Sequence, residues 1–181
     1  MIKRILLGVA TAAACILPVG AEVQPGTASL LETMEANGIV ISVNPEECEG
    51  APYCGQYRWY GFKREMRLCP GDTIDAGDHN TIRHEAIHAI QHCVNVARGT
   101  NTDTAVIEDS NELMTWAREH LSMREIEWIQ RKYPRSQWTT EIEAFAASRA
   151  YTSSEIEEAF LAACTAQWRV ILPILFGLSV A

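Results

Sequence analysis

A histidine pair four residues apart, inside a long amphipathic segment, is the feature that most constrains the fold of this chain. Residues 84–88 read HEAIH. At about 100° per residue, an α-helix over 80–98 places both imidazoles on one face, one turn apart. The opposite face of that helix is apolar and consists of Ile82, Ala86, Ile90, Cys93 and Ala97. The pattern therefore predicts a helix with one face in a core and two histidines lining a polar cleft.

The spacing of these histidines suits a metal ion. Two imidazoles one helical turn apart can reach one ion, and imidazole nitrogen is a preferred ligand of Zn²⁺. Glu85 follows His84 directly, so its carboxylate lies beside the ion without having to bind it. That position fits a general base that acts on a metal-activated water. The sequence predicts His84 and His88 as zinc ligands and Glu85 as the base.

The third ligand of the expected site is not on the same helix. A catalytic zinc site usually takes three protein ligands and leaves one position open. In the pattern HExxHxxGxxH a third histidine follows, but Gln91 and Val94 occupy the decisive positions here. His92 lies one turn beyond His88, and histidines on three successive turns diverge in height. We therefore expect His92 to support the ligands or to face solvent.

Three downstream glutamates are candidates for the third ligand: Glu112, Glu141 and Glu143. The last two lie in a helix predicted over 137–151, whose buried direction is marked by Trp138, Ile142 and Phe145. Glu141 lies about 40–60° from that direction, whereas Glu143 lies about 140° away from it. Periodicity therefore favours Glu141 as the third ligand, and it predicts that Glu143 points outward. Glu143 and Glu112 remain alternatives.

The N-terminus has the pattern of a secretory signal peptide. Two basic residues precede an apolar run over 5–17, which is too short to span a bilayer, and small residues at 19–21 form a cleavage site. We expect a signal peptide over 1–21 and one mature domain over 22–181. This organisation predicts a secreted or periplasmic protein.

Charge and hydropathy narrow the range of partners. Removal of the signal takes two positive charges away and changes the formal net charge from −8 to −10. A chain this acidic is not expected to bind nucleic acid. The C-terminal apolar run over 170–181 is short and contains Pro173, so we expect it to pack on the core and not to span a membrane. The oligomeric state stays open.

Five cysteines remain after the expected cleavage. Export makes disulfides plausible, because oxidising compartments preserve them. We expect two bridges among Cys48, Cys54, Cys69 and Cys93, with Cys164 as a buried thiol on a helix. The spacings do not resemble paired CxxC knuckles, which argues against a cysteine-rich zinc site.

The order of predicted elements indicates an α+β fold, with a small antiparallel sheet, then the HExxH helix, then a mainly helical C-terminal half. The expected strands are 38–43, 56–62 and 65–69. The expected helices are 29–36, 80–98, two that open near 109 and 122, 137–151, and 152 to about 170. Because 66–69 directly precedes the HExxH helix, it is a candidate edge for an extended peptide, or else an ordinary inner strand.

Over roughly residues 66–150 the chain resembles small gluzincin-type zinc metallopeptidases. That family pairs HExxH with a glutamate in an E-x-x-A segment on a later helix, which here is Glu141 to Ala144. The resemblance implies a zincin-like fold, with His84, His88 and Glu141 as ligands of Zn²⁺.

The resemblance has one departure. Many gluzincins have an aspartate four residues after the ligand glutamate, which orients a histidine ligand. Phe145 stands at that position. Support for the histidines must therefore come from other residues.

The combined expectation is a zinc-dependent metallopeptidase that hydrolyses peptide or protein substrates with Glu85 as general base. Tyr151 and His120 are candidate donors to the oxyanion by residue type alone. One other interpretation is a non-catalytic, zinc-stabilised exported binding module, which would hold zinc without hydrolysing peptides. Another is an exported helical protein in which HExxH is fortuitous, which would hold no metal.

Overall fold

The structure is a computed structural model, and it describes residues 25–51, 53–61, 63–70, 76–100, 102 and 104–165. The signal peptide expected over 1–21 and the apolar run over 170–181 lie outside the described residues. The assignment of 22–181 to one domain stays a prediction.

The described part consists of helices around a small sheet. Its α-helices are α1 (Pro25–Ala36), α2 (Ala76–Ala97), α3 (Ser110–His120), α4 (Met123–Lys132), α5 (Trp138–Ala150) and α6 (Ser153–Cys164). Its strands are β1 (Ile39–Val43), β2 (Gly55–Tyr60) and β3 (Lys63–Leu68). The predicted α+β class is confirmed, and each expected helix is present. The structure describes α6 to Cys164, and most of its expected end, to about residue 170, lies outside the described residues.

Side-chain caps explain where the later helices begin. Asp109 accepts hydrogen bonds from two backbone amides at the start of α3. Reciprocal capping boxes begin α4, through Ser122 and Glu125, and α6, through Thr152 and Glu155. Each box satisfies amides that a helix start leaves without partners. These caps join residues only two or three positions apart in the sequence.

The sheet is mixed and has the strand order β1-β3-β2. The β2–β3 hairpin is antiparallel, as predicted, with Tyr57 opposite Met66. The expectation of an all-antiparallel sheet is wrong for β1, which runs parallel to β3 and places Ile41 opposite Met66. The reason is the path of the chain. The hairpin turn makes β3 run opposite to β2, and β3 lies between β2 and β1 and runs in the same direction as β1.

The strand order also shows whether the segment 66–69 can serve as an edge to which a peptide adds. Residues 66–68 belong to the inner strand β3, so the edge interpretation of 66–69 is wrong and the inner-strand alternative is right. The outer strand nearest α2 is β2. Any polypeptide that extended this sheet beside α2 would therefore pair with β2.

Helix α2 lies at the centre of the packing. It contacts α5, α6, β2 and β3, and a second apolar cluster joins α3, α4 and α5. The largest fully buried side chains of the main core include Leu30, Met34, Ile39, Met66, Ile82, Ile90 and Phe160. The histidine-bearing face of α2 is buried as well, because α5 covers it. The predicted polar cleft is therefore largely covered.

Two disulfides connect described residues. Cys48–Cys69 joins the loop after β1 to the end of β3, as one of the pairings expected among the first four cysteines. Cys93–Cys164 joins α2 to α6 with a Cα–Cα distance of 5.2 Å. The prediction of a second bridge among the first four cysteines and the prediction of a buried Cys164 thiol are therefore both wrong. The correction follows from packing, since α6 lies along α2 and brings residues 71 positions apart into contact. No described cysteine is a free thiol.

These bonds are consistent with an exported chain. Within the described ranges, no helix has the length and apolar character needed to cross a bilayer.

The Cys93–Cys164 bridge should contribute more stability than Cys48–Cys69. In the loop-entropy account, closing 71 residues stabilises by about 4 kcal/mol and closing 21 residues by about 3 kcal/mol. We expect Cys93→Ser/Cys164→Ser to lower the free energy of unfolding by the larger amount in a denaturant titration. Equal or reversed losses for the two double variants would contradict this ranking.

Candidate metal centre

Three side chains from two helices converge at the interface of α2 and α5. His84 and His88 project from α2, and Glu141 projects from the first turn of α5. His84 Nε2 and His88 Nε2 are 3.1 Å apart. Glu141 Oε2 is 3.4 Å from His84 Nε2, and Glu141 Oε1 is 3.7 Å from His88 Nε2. The structure thus brings together the three residues that the sequence favoured as ligands.

The separations match what a tetrahedral ion requires. Zinc with ligand bonds of about 2.0–2.1 Å places its ligand atoms about 3.3 Å apart. The measured separations lie on both sides of that value. Glu141 Oε2 is also buried without a hydrogen-bond partner among the described residues, which is costly unless a cation satisfies it. The donor set and its geometry fit a divalent metal ion.

Electrostatics keep the Glu141 carboxylate ionised. Burial alone would raise its pKa, but His88 and His84 outweigh that cost and lower the pKa to about 2. A ligand carboxylate must be deprotonated to bind a metal. Glu141 therefore presents an anionic oxygen to the histidines at neutral pH.

The other two candidate glutamates have different positions. Glu112 is exposed in the first turn of α3 and is not one of the clustered residues. Glu143 was expected to point outward, and that is wrong: it is fully buried. It accepts hydrogen bonds from Gln91 Nε2 at 2.8 Å and from the backbone amides of Val106 and Ile107 at 2.7 and 2.8 Å. Helix α5 is buried on nearly all sides, so periodicity could not assign it one outer face.

Glu85 lies beside the ligand cluster and is not part of it. Its Oε2 accepts a 2.6 Å hydrogen bond from the backbone amide of Tyr57 on β2. Burial raises its pKa, His84 and His88 oppose that rise, and Glu141 adds to it, with a raised pKa as the net result. A carboxylate with a raised pKa next to a metal site is better matched to proton transfer near neutrality.

Gly55 allows β2 to approach α2 this closely. A Cβ at this position would overlap Thr81 Cγ2 and would lie 2.9 Å from Glu85 Cγ. The absence of a side chain is therefore a condition for the contact between β2 and Glu85.

We expect Gly55→Ala to lower the free energy of unfolding by about 1–3 kcal/mol through overpacking. Thr81→Ser removes the methyl group that the new Cβ meets and keeps the hydroxyl, so Gly55→Ala/Thr81→Ser should recover part of the loss. Thermal unfolding of both variants measures this. No destabilisation by Gly55→Ala would show that β2 can withdraw freely from α2.

Phe145 has no polar atom that could orient a histidine ligand, and Gln91 orients one of the two histidines instead. His88 Nδ1 is 2.8 Å from Gln91 Oε1. His84 Nδ1 has no hydrogen-bond partner among the described residues, and its ring packs against Phe145 with centroids 4.3 Å apart. The two histidines are therefore held differently.

His92 is buried and does not reach the cluster. Its Nδ1 is 2.9 Å from the Tyr57 hydroxyl, and its ring stacks on Trp59 at 4.4 Å between centroids. Burial, with a contribution from Arg64, lowers the pKa of His92 to about 4. His92 therefore has neither of the two expected roles: it does not face solvent, and its hydrogen bond and ring contacts are with β2 and not with the ligands.

Sequence reasoning missed Tyr133. It lines the same small cavity as His84, Glu85, His88 and Glu141, together with Gln56 and Tyr57. Burial and the nearby charges of Glu141 and Glu85 raise its pKa far above the usual range, so its hydroxyl stays protonated. In the sequence Tyr133 was only the residue before a helix-ending proline, which gives no signal for such a role.

The two residues expected as oxyanion donors lie elsewhere. Tyr151 and His120 both pack against Trp116, with ring centroids 6.3 and 5.2 Å away. Neither lines the cavity that contains the ligand cluster. Tyr133 lines that cavity instead.

The cavity at the cluster is small. The space that the centre of a water molecule can reach is about 10 Å³, which is room for roughly one water. The three ligand residues are each less than 10 % exposed. The three ligand residues are therefore almost entirely buried.

Comparisons with protein-family models, with curated protein sequences and with solved structures each gave no match. The case for a function therefore depends on the geometry of the residues themselves.

Proposed function

We propose that this chain is an exported zinc metallopeptidase. The observation that carries the proposal is the convergence of His84 Nε2, His88 Nε2 and a Glu141 carboxylate at spacings suited to one ion, with Glu85 alongside. A set of two histidines and one glutamate is typical of catalytic zinc sites, which keep a fourth position for water or substrate. The two disulfides support export.

The chain's own residues divide the work of hydrolysis. When bound, zinc supplies a Lewis acid that polarises the peptide carbonyl and makes a water more acidic. Glu85 accepts the proton of the attacking water and then delivers it to the leaving nitrogen. The Tyr57 amide holds the Glu85 carboxylate in place through its 2.6 Å hydrogen bond. Proton transfer therefore occurs at a carboxylate that is fixed by both α2 and β2.

Tyr133 is the proposed donor to the developing oxyanion. It lines the cavity and its raised pKa keeps the hydroxyl protonated through the reaction. A protonated hydroxyl can donate a hydrogen bond to the negative charge that develops on the oxyanion.

We expect Tyr133→Phe to lower kcat by about 10²-fold, as removal of one oxyanion donor does elsewhere, with zinc content unchanged. Steady-state kinetics and metal analysis on the same preparation measure this. A wild-type kcat would assign oxyanion stabilisation to another group.

The proposal is tested by exposing the zinc-loaded mature protein to a diverse peptide library and identifying products by mass spectrometry. Cleavage that disappears with a chelator and returns with zinc is expected. Glu112→Gln is the matched control, because Glu112 is an exposed glutamate outside the cluster, and it should cleave as the wild type does. Zinc-loaded protein that cleaves no peptide would contradict the proposal.

A second candidate function has one observation in its favour. The cavity of about 10 Å³ leaves no room for a peptide unless neighbouring side chains move. A non-catalytic, zinc-stabilised binding module would use the same ligands to join α2 to α5. Zinc-dependent stability with no hydrolysis in the library experiment would favour this function over the peptidase.

A further inference from the structure

A chain of hydrogen bonds connects the ligand His88 to a buried carboxylate on another helix. His88 Nδ1 is 2.8 Å from Gln91 Oε1. Gln91 Nε2 donates to Glu143 Oε2 at 2.8 Å and to the backbone carbonyl of Thr140 at 3.0 Å. Both Gln91 and Glu143 are fully buried. Bulk solvent therefore does not reach Gln91 or Glu143 and cannot take the place of either side chain.

The orientation of the Gln91 amide follows from its partners. A backbone carbonyl can only accept a hydrogen bond, so the group that faces Thr140 O must be the NH₂. Turning the amide over would place its oxygen against that carbonyl and against the Glu143 carboxylate. Glu143 is held in turn by the amides of Val106 and Ile107. The Gln91 oxygen therefore faces His88.

This orientation fixes the proton on the His88 ring. An amide oxygen can only accept, so His88 Nδ1 must carry the hydrogen. Its Nε2 then carries the lone pair, directed toward His84 and Glu141, as metal binding requires. His84 has the opposite surroundings: its Nδ1 has no partner, and its Nε2 lies 3.1 Å from His88 Nε2 and 3.4 Å from Glu141 Oε2. In the metal-free protein His84 Nε2 is therefore the donor.

We propose that Gln91, oriented by Glu143 and the Thr140 carbonyl, is a positioning residue that presets His88 as the Nδ1–H tautomer for metal binding. His84 is not preset and must move its proton from Nε2 to Nδ1 before it can bind. Glu143, which the sequence offered as a rival ligand, thereby acts on the metal through two intervening side chains. The inference rests on the metal-binding part of the proposed function.

The direct test needs no variant. Long-range ¹H–¹⁵N NMR of the metal-free protein, at a pH where both rings are neutral, distinguishes the two tautomers. His88 is expected as Nδ1–H and His84 as Nε2–H, so the second histidine serves as an internal control. His88 as Nε2–H would overturn the proposal.

The second test measures zinc affinity by competition with a chelator. Gln91→Met keeps the length of the side chain and removes the acceptor, and it should weaken zinc binding by about 10–100-fold. Glu143 accepts three hydrogen bonds, and Glu143→Gln would turn an NH₂ group toward at least one of these donors. We therefore expect Glu143→Gln to weaken zinc binding as well. Unchanged affinity in Gln91→Met would overturn the proposal.

Thr27→Val is the matched control. Thr27 is fully buried in α1, and its hydroxyl lies 2.8 Å from the Ser153 hydroxyl at the start of α6, apart from the bonds that join His88, Gln91 and Glu143. It should lose stability and keep wild-type zinc affinity, which separates positioning from general destabilisation. If the wild type binds no zinc, the proposed function fails while the tautomer of His88 still decides this inference. If the wild type binds zinc and Gln91→Met binds it equally well, only this inference fails.

Discussion

Glu85→Gln is expected to lower kcat for peptide hydrolysis by about 10²–10⁴-fold, the usual contribution of a general acid–base residue. The amide cannot accept the proton of the attacking water. Its oxygen can still accept the hydrogen bond from the Tyr57 amide, so the contact between α2 and β2 is retained. Kinetics and metal analysis on one preparation should therefore show normal zinc content and lost turnover.

Glu112→Gln is again the control, since it makes the same chemical change on an exposed part of α3. It should match the wild type in both readouts. Wild-type turnover by Glu85→Gln would contradict the assignment of Glu85 as the base. Loss of zinc from Glu85→Gln would instead make Glu85 part of the ligand set.

Zinc should stabilise the folded protein strongly, because its ligands come from two helices that are separate in sequence. With free zinc about 1,000 times above its dissociation constant, mass action adds about 4 kcal/mol to the free energy of unfolding. Chelation should remove that amount in a thermal or denaturant titration. The effect should appear whether or not the protein hydrolyses peptides.

The ligand variants supply the comparison. His88→Ala and Glu141→Ala should unfold identically with and without zinc, whereas Glu112→Gln should respond as the wild type does. A zinc response that persists in Glu141→Ala would contradict the role of Glu141 as a ligand.

The centre of the site was predictable because its signals are local. The spacing of His84 and His88 defines one helical face, and Gly99 ends that helix with φ at 76° as a C′ glycine does. The capping boxes at Ser122 and Thr152 are equally local, because each joins residues three positions apart. The choice of Glu141 over Glu143 used periodicity, and the structure places the Glu141 carboxylate beside both histidines.

Periodicity failed where a helix is covered on more than one side. Helix α5 packs against α2, α3 and α4, so Glu143 is as buried as the apolar residues beside it. Trp138 and Phe145, which marked the buried direction in the sequence, are only partly buried. A buried carboxylate with three donors cannot be recognised without its partners, which lie at Gln91, Val106 and Ile107.

Pairings between residues distant in the sequence could not be predicted from local patterns either. The Cys93–Cys164 bond depends on how α6 lies along α2, and the insertion of β3 between β1 and β2 depends on chain path and not on hydrophobic pattern. Tyr133 reaches the cavity from the end of α4 for the same kind of reason. Each of these features is set by tertiary packing, which overrides local preference.

The most direct test of the metal centre is the zinc content of the mature protein, purified without chelator and measured beside Glu141→Ala and Glu112→Gln. The account predicts one zinc per chain in the wild type and in Glu112→Gln, and loss of zinc in Glu141→Ala. Wild-type protein that holds no metal after zinc is supplied, or Glu141→Ala that holds as much zinc as the wild type, would contradict it.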